Sequence, residues 1–271
     1  MSHWYDKDGN PRHHEGKNGG DTTLREARKL ELYPSVTTIG SIIHKEGLVY
    51  WKQEQSSLQT YEYFAEAWER GSVTLCETDE ELKQFTRQMI ALAKEKVTEK
   101  SDAGTEIHDK LEKFKDDPFS LSHDDQKMCF AIADCIKENT GLSLYTDFIA
   151  EERFCDTELG YAGMCDLHTK PEVEPWVLDY KTKDEVDEKT KGYPEQAEQL
   201  VAYSYGLRMP EARIGNIFIS RNPPGEDEPW AVKFFEHKDI IHPWLEFLHT
   251  LQTWQIKKKY GPYYHKIMHE A

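Results

Sequence analysis

Asp166, Asp179 and Lys181 are the residues whose types and spacing best suit a reaction. Asp179 and Lys181 lie two apart in the apolar run WVLDYKTK (176–183), so on a strand both side chains point to one face. Asp166 lies thirteen residues earlier in GYAGMCDLHTK (160–170), near enough for its strand to pair with the first. The pattern is D-x12-D-x-K, with x12 spanning 167–178. Hydrolysis of a phosphodiester needs an activated water and neutralisation of charge on the phosphoryl group. A divalent cation held by carboxylates supplies both. A lysine beside it can orient or help deprotonate the water, or contact the scissile phosphate. The carbonyl of Tyr180 is a further candidate oxygen ligand.

An Asp–Lys pair on an ordinary exposed strand is worth about 0–1 kcal/mol and has no chemical meaning. The context here differs, because Asp179 follows Trp176, Val177 and Leu178 and so ends a buried run. A buried carboxylate without a partner is costly, and a bound cation is one remedy.

The elements that must position these residues fall into two textures. From Tyr33 to Gly141 the apolar residues recur at helical spacing. Ser35 caps a helix carrying Val36, Ile39, Ile42 and Ile43, and Leu48 to Trp51 form a further apolar anchor. Leu58, Tyr61, Ala65 and Trp68 follow, with Gly71 as a stop. Thr78 to Glu81 make a capping box ahead of Leu82, Phe85, Met89 and Leu92. A separate helix is expected from about Ser101 to Lys115, with His108 at the edge of the stripe Ile107, Leu111, Phe114. Ser122 opens another, and Gly141 closes it.

After Leu142 the runs become short and β-branched or aromatic. Strands are expected at 144–154, 160–169, 175–181, 213–220 and 230–236. Helices are expected at 194–208 and 240–260. The division reads as a flexible N-terminal arm (1–32), a helical portion (33–141) and an α/β core (142–271). For the arm, a solvated tail explains His3, His13 and His14 better than a metal site does, since no spaced partners accompany them.

The 271 residues are enough to bury a sizeable core even at 38% hydrophobic content, with seven Trp, fourteen Tyr and eleven Phe to fill it. The net charge of −16 argues against a generic nucleic-acid-coating protein, but not against an enzyme with a local basic channel. Five scattered cysteines without a CxxC pair suit reduced thiols and a cytoplasmic location. No run is long and apolar enough for a membrane span, and the polar N-terminus is unlike a signal or transit peptide.

Taken together, Gly160-Tyr161-Ala162-Gly163 leading to Asp166, then Asp179-Tyr180-Lys181-Thr182, then Gln199-Leu-Val-Ala-Tyr203 resemble the PD-(D/E)XK nuclease superfamily. The branch most similar is that of RecB-like exonucleases, which includes phage recombination and mitochondrial genome maintenance exonucleases. Gly104-Thr105-Glu106-Ile107-His108 fits that branch's Gly-[Ser/Thr]-x-x-His motif, and PSVTTI at 34–39 followed by Trp51 is similar to a signature of its phage members. The resemblance covers most of 34–210.

It implies a restriction-endonuclease-like core, a mixed central sheet flanked by helices, with a helical N-terminal portion shaping the DNA channel. It implies Mg²⁺ or Mn²⁺ at His108, Asp166, Asp179 and the Tyr180 carbonyl, with Lys181 as the catalytic lysine. Gln199 and Tyr203, one helical turn apart, would orient that lysine or contact DNA, with Gln196 a turn earlier. Either Glu151 or Glu152 would be the acidic residue of the first strand. Lys183 and Arg221 are candidate DNA contacts, and Tyr193 or Trp51 would stack on unpaired bases.

No cysteine follows Cys165, so no iron–sulfur cluster is expected. No Walker-type motif is present, which points to a nuclease working without its own motor. The implied activity is metal-dependent DNA exonuclease action in recombination, repair or replication. The implied partners are DNA ends and a recombination or single-strand-binding protein. The alternatives are an endonuclease of the same fold and a catalytically silent DNA-binding scaffold.

Overall fold

The computed structural model describes residues 3–43, 46–73, 75–225 and 228–270. The chain runs β1 (Trp4–Tyr5), α1 (Leu24–Lys29), β2 (Tyr33–Pro34), α2 (Val36–Gly40), α3 (Glu46–Glu69), α4 (Asp79–Asp116) and α5 (His123–Thr140). It continues through β3 (Phe148–Asp156), β4 (Tyr161–Thr169), β5 (Trp176–Lys183), α6 (Pro194–Gly206), β6 (Arg213–Ser220), β7 (Val232–His237), α7 (Ile241–Lys258) and α8 (Pro262–Glu270). The result is a mixed α/β protein with a five-stranded mixed sheet in the order β3-β4-β5-β6-β7.

Two compact units divide the chain. One comprises 1–43 and 108–271 and contains the whole sheet; the other comprises 44–107. The expected boundary at residue 141 is therefore displaced, and α4 crosses from one unit to the other just before His108. In the smaller unit α3 and α4 face each other through Tyr63 and Phe85, whose ring centroids are 5.3 Å apart. Two of the expected features, the apolar anchor at Leu48 and the Thr105 side chain, lie outside the described residues.

In the larger unit, β3, β4 and β5 form an antiparallel meander. The chain then crosses through α6 to β6, which pairs with β5 in parallel, and β7 closes the edge antiparallel. A parallel pair requires such a crossover, and the helix covers the strands it connects. Ala197, Leu200 and Val201 of α6 pack with Val177 and Ile214 of the sheet and with Phe247, Leu251 and Trp254 of α7. This burial, at roughly 25 cal/mol per Å² of apolar surface, is what holds β5, with its Asp179 and Lys181, in place.

Local signals at α5 hold closely. Ser122 accepts a hydrogen bond from the Asp125 N–H, and Gly141 ends the helix with φ +76°. Three expectations do not hold. The segment 3–32 is not a flexible arm: Trp4 and Tyr5 are buried, β1 pairs with β2, and Trp4 packs on Trp254 and Tyr260 at 6.0 and 6.3 Å. Within it, the His13 ring accepts the Trp4 N–H at 3.1 Å and stacks on His3. The two helices expected at 78–92 and 101–115 are one 38-residue helix, α4, which runs through Gly104. The last expected helix is followed by a further one, α8, after Gly261 at φ +110°.

Candidate active site

Asp179 and Lys181 stand at the C-terminal half of β5, which is paired along its whole length with β6. On its other side β5 pairs with β4 only at Leu167–Leu178 and His168–Val177. The two strands then part, and Asp166 occupies the fork. Its Oδ2 accepts the Tyr180 N–H at 2.9 Å, replacing the missing ladder bond. The carboxylate is thereby fixed beside β5.

A backbone irregularity turns Asp166 toward this fork. The β3–β4 ladder runs through Ala150–Leu167 and Glu152–Cys165, and between them Glu151 has φ +53°. That conformation is uncommon for a residue with a side chain. Gly163 of β4 lies against Phe154 and Tyr203, while Leu167, four residues on, lines a small pocket with His108 and Tyr180. Even spacing on a regular strand keeps one face, so the alternation changes sides at Asp166. Glu151 lines the same small pocket and Glu152 is exposed. Of the two acids, Glu151 is the one at the site. Burial raises its pKa, and the charges of Glu112 and Asp109 raise it further.

His108, from α4, brings Nδ1 to 3.7 Å from Asp166 Oδ1 and sets its ring edge-on to Tyr180 at 5.5 Å. Burial lowers its pKa; the charge of Asp179 and a hydrogen bond with the Tyr180 backbone oppose this. Asp166 is displaced the other way. Burial pushes its carboxyl well above the usual range, and the neighbouring charge of Asp179 adds to this, against Lys181 and the Tyr180 N–H.

Asp179 is 2% exposed and is held by three donors. Lys181 Nζ is 2.5 Å from Oδ2, Asn216 Nδ2 donates to the same oxygen at 3.0 Å, and Gln199 Nε2 donates to Oδ1 at 3.1 Å. Gln199 also accepts from Lys181 at 3.3 Å and bonds the Tyr203 hydroxyl at 2.8 Å. Helix α6 thus delivers both residues of the Q-x-x-x-Y spacing to the Asp–Lys pair. For Lys181, burial works against the charge, but Asp179 and Asp166 outweigh it and the pKa is raised. Lys181 is an ammonium in this arrangement. The Tyr203 hydroxyl is pushed well up, by burial first and by Asp179 and Asp166 next.

The remaining candidates have other placements. Gln196 accepts the Tyr193 N–H at 2.9 Å and so caps α6. Arg221 bonds Asp184 at 3.0 Å and both the carbonyl and hydroxyl of Thr182, at 3.1 and 2.8 Å. Both side chains are thus engaged within the protein. Lys183 Nζ sits over the rings of Tyr193 and Phe218, at 5.0 and 4.8 Å from their centroids, and Tyr193 is 57% exposed. Trp51 belongs to α3, in the other unit.

Two residues of the network were not anticipated. Asn216 is fully buried opposite Asp179 in the parallel register, and His237 Nε2 lies 2.7 Å from its Oδ1. An asparagine inside the apolar strand RIGNIFIS (213–220) was the available signal.

Whether a divalent cation suits these residues can be judged from the donors. His108 Nδ1 and Asp166 Oδ1 are too far apart for a hydrogen bond. They are close enough to share one ion, since ligand distances of about 2.1 Å allow separations up to roughly 4.2 Å. Burial first, and the charge of Asp179 next, make the ionised Asp166 costly, and a bound cation would offset that cost. Asp179, in contrast, has both oxygens occupied by protein donors. Among the described residues no three His, Cys, Asp or Glu side chains are arranged as a metal-binding group. His108 and Asp166 therefore fit the ion, and Asp179 adjoins them.

Comparison of the chain with models of known families gave no match, and a search of curated proteins gave none.

Proposed function

We propose that this chain is a Mg²⁺- or Mn²⁺-dependent deoxyribonuclease with a restriction-endonuclease-like core, acting as an exonuclease on DNA ends. The observation that carries the reading is the convergence of four separated segments on one strand end. His108 from α4, Asp166 from β4, Asp179 and Lys181 from β5, and Gln199 and Tyr203 from α6 form one connected set. The parallel β5–β6 pair with its α6 crossover supports the fold reading, because the site lies at the carboxyl end of β5 beside that crossover.

His108 and Asp166 would hold the ion, with the Tyr180 carbonyl beside His108. Bound there, the ion supplies charge neutralisation at the phosphate and lowers the pKa of an attacking water. Lys181 is an ammonium, so its part is to place positive charge against the non-bridging phosphate oxygens and hold the water by donating to it. Gln199 accepts a hydrogen bond from Lys181 and donates one to Asp179, which fixes both groups. Tyr203 in turn holds the Gln199 amide. Lys183, on the same strand face as Lys181, extends the positive edge along which a DNA backbone would run. Tyr193, exposed beneath that ammonium, is placed to stack on an unpaired base. No helix among the described residues is long and apolar enough to cross a membrane.

End-labelled linear, tailed and closed circular DNA, incubated with Mg²⁺, Mn²⁺ or EDTA, tests the proposal. Mononucleotide or short-oligonucleotide release from linear DNA, dependent on metal and absent for circles, is the expected result. Cleavage of circles would make the enzyme an endonuclease. No metal-dependent product from any substrate would overturn the nuclease reading in favour of a silent DNA-binding scaffold.

A further inference from the structure

Asn216 is an expensive residue where it stands. It is fully buried in the centre of β6, between Ile214 and the run Ile217, Phe218, Ile219. A buried amide costs free energy unless both its ends are bonded. Here both are: Nδ2 donates to Asp179 Oδ2 at 3.0 Å, and Oδ1 faces His237 Nε2 at 2.7 Å.

The direction of that chain is set by chemistry. A carboxylate only accepts, so the amide must turn its NH₂ to Asp179 and its oxygen to His237. The oxygen only accepts, so His237 must carry its proton on Nε2. The carboxylate thus fixes the amide orientation and the amide oxygen fixes the histidine tautomer, and in return the His237 N–H holds the amide that bonds Asp179.

The surroundings are shaped to seat this ring. Gly192 precedes α6, and a Cβ there would lie 2.5 Å from His237 Cε1 and 2.8 Å from Nε2. The His237 ring packs edge-on to Phe235 at 5.0 Å. Three separate segments, at 192, 216 and 237, thus meet behind the Asp179 oxygen that Asn216 shares with Lys181.

We propose that Asn216 and His237 are positioning residues for Asp179, acting in series so that His237 controls the carboxylate without touching it. This rests on the nuclease reading for the consequence it predicts. With Lys181 and Gln199 alone, the carboxylate is held by one flexible ammonium at Oδ2 and one amide at Oδ1. The Asn216 bond adds a donor from the rigid centre of β6 to Oδ2 and restricts the carboxylate's rotation. Outer partners of this kind typically change metal affinity or activity by about 10–100-fold when removed.

The test uses the full chain and four variants, His237→Leu, His237→Gln, Gly192→Ala and Asn216→Leu. Each is checked for a wild-type circular dichroism spectrum. The His237→Leu variant lacks the donor and is expected to lose about tenfold or more in kcat, with KM for DNA within about twofold. In His237→Gln the side-chain NH₂ reaches the same oxygen, so activity should return to within about threefold of wild type. Gly192→Ala, which displaces the ring without touching Asn216, should behave as His237→Leu. Mn²⁺ binding, followed by calorimetry, should weaken in the same order.

Wild-type activity in His237→Leu overturns the inference and leaves the nuclease reading intact. So does a His237→Gln variant as impaired as His237→Leu, since packing and not the donated proton would then matter. Wild-type protein that neither cleaves DNA nor binds Mn²⁺ overturns both. If Asn216→Leu does not fold, the His237 pair and Gly192→Ala still decide the matter.

Discussion

Replacing Asp166 by Asn should make the metal-free protein more stable while abolishing its activity. Asp166 is largely buried, its side chain 13% exposed, and its pKa is driven up by burial and by the charge of Asp179. A carboxyl whose folded pKa lies above its unfolded value, 3.8, binds protons more tightly in the folded state. The stability this provides is complete below pH 3.8 and is lost as pH rises through the folded value. As pH rises above 3.8 the carboxyl is therefore a growing net cost. An asparagine removes the charge, and its amide oxygen can still accept the Tyr180 N–H that Asp166 accepts at 2.9 Å. His108, its pKa lowered, stands 3.7 Å away, so no strong ion pair is given up. Relief of a buried, poorly compensated charge returns about 1–2 kcal/mol, the low end of the range for such replacements. In a unit of roughly 200 residues that corresponds to a rise in Tm of about 2–8 °C. Calorimetric melts in EDTA from pH 4 to pH 8 would measure it. The gap between variant and wild type should widen with pH and close toward pH 4. Adding Mn²⁺ should raise the wild-type Tm and leave the variant unmoved. A lower Tm for Asp166→Asn at pH 8 in EDTA would refute the reasoning, since the carboxylate would then have a compensating partner in the resting protein.

Three further outcomes follow from the same geometry. Lys181→Ala should reduce DNA cleavage by about 10²–10³-fold while Mn²⁺ binding, read by calorimetry, persists; Asp179→Ala should lose cleavage and weaken Mn²⁺ binding without abolishing it, and near-wild-type cleavage by Lys181→Ala would remove the nuclease assignment. Gln199→Ala frees Lys181, Asp179 and Tyr203 from their common partner, and a fall in kcat of about tenfold with little change in KM is expected from single-turnover and steady-state rates. At Gly206 an added Cβ would meet the Phe154 ring at 2.1 Å, so Gly206→Ala should cost about 1–3 kcal/mol in urea unfolding, and an unchanged midpoint would contradict the packing of α6 on β3.

Where the local chemistry of a segment decides its structure, the sequence was readable. Ser122 and Gly141 bound α5 as their side-chain and backbone preferences require, and RIGNIFIS is a strand over the very residues its β-branched and aromatic content indicates. Misreadings arose where distant packing overrode a local signal. The polar stretch around Ser101 to Gly104 looked like a break between helices. A single glycine costs a helix only about 1 kcal/mol, and α4 runs through it. The first 32 residues have too few apolar positions for any periodicity. Yet Trp4, packed on Trp254 and Tyr260, and the buried Ala27 and Leu32, whose carbonyls accept the Tyr260 hydroxyl, anchor them to a part of the chain more than 220 positions away.

The site shows the same division at finer scale. Asp166, Asp179, Lys181 and Gln199 were readable because the identities of side chains and their spacing along strands and a helix bring them to one place. The choice between Glu151 and Glu152 was not, because regular alternation would put the two on opposite faces and gives no warning of the positive φ at Glu151. That kink decides which acid meets His108 and Asp166, and it also moves Asp166 into the fork between β4 and β5. Two of the three donors that hold Asp179 lie 20 and 37 residues from it in sequence and adjoin it only through the parallel crossover and the β5–β6 register. A buried asparagine in an apolar strand announces that a partner exists without naming it. Only the register names Asp179, and that is why the second layer of a site depends on the fold more completely than the first.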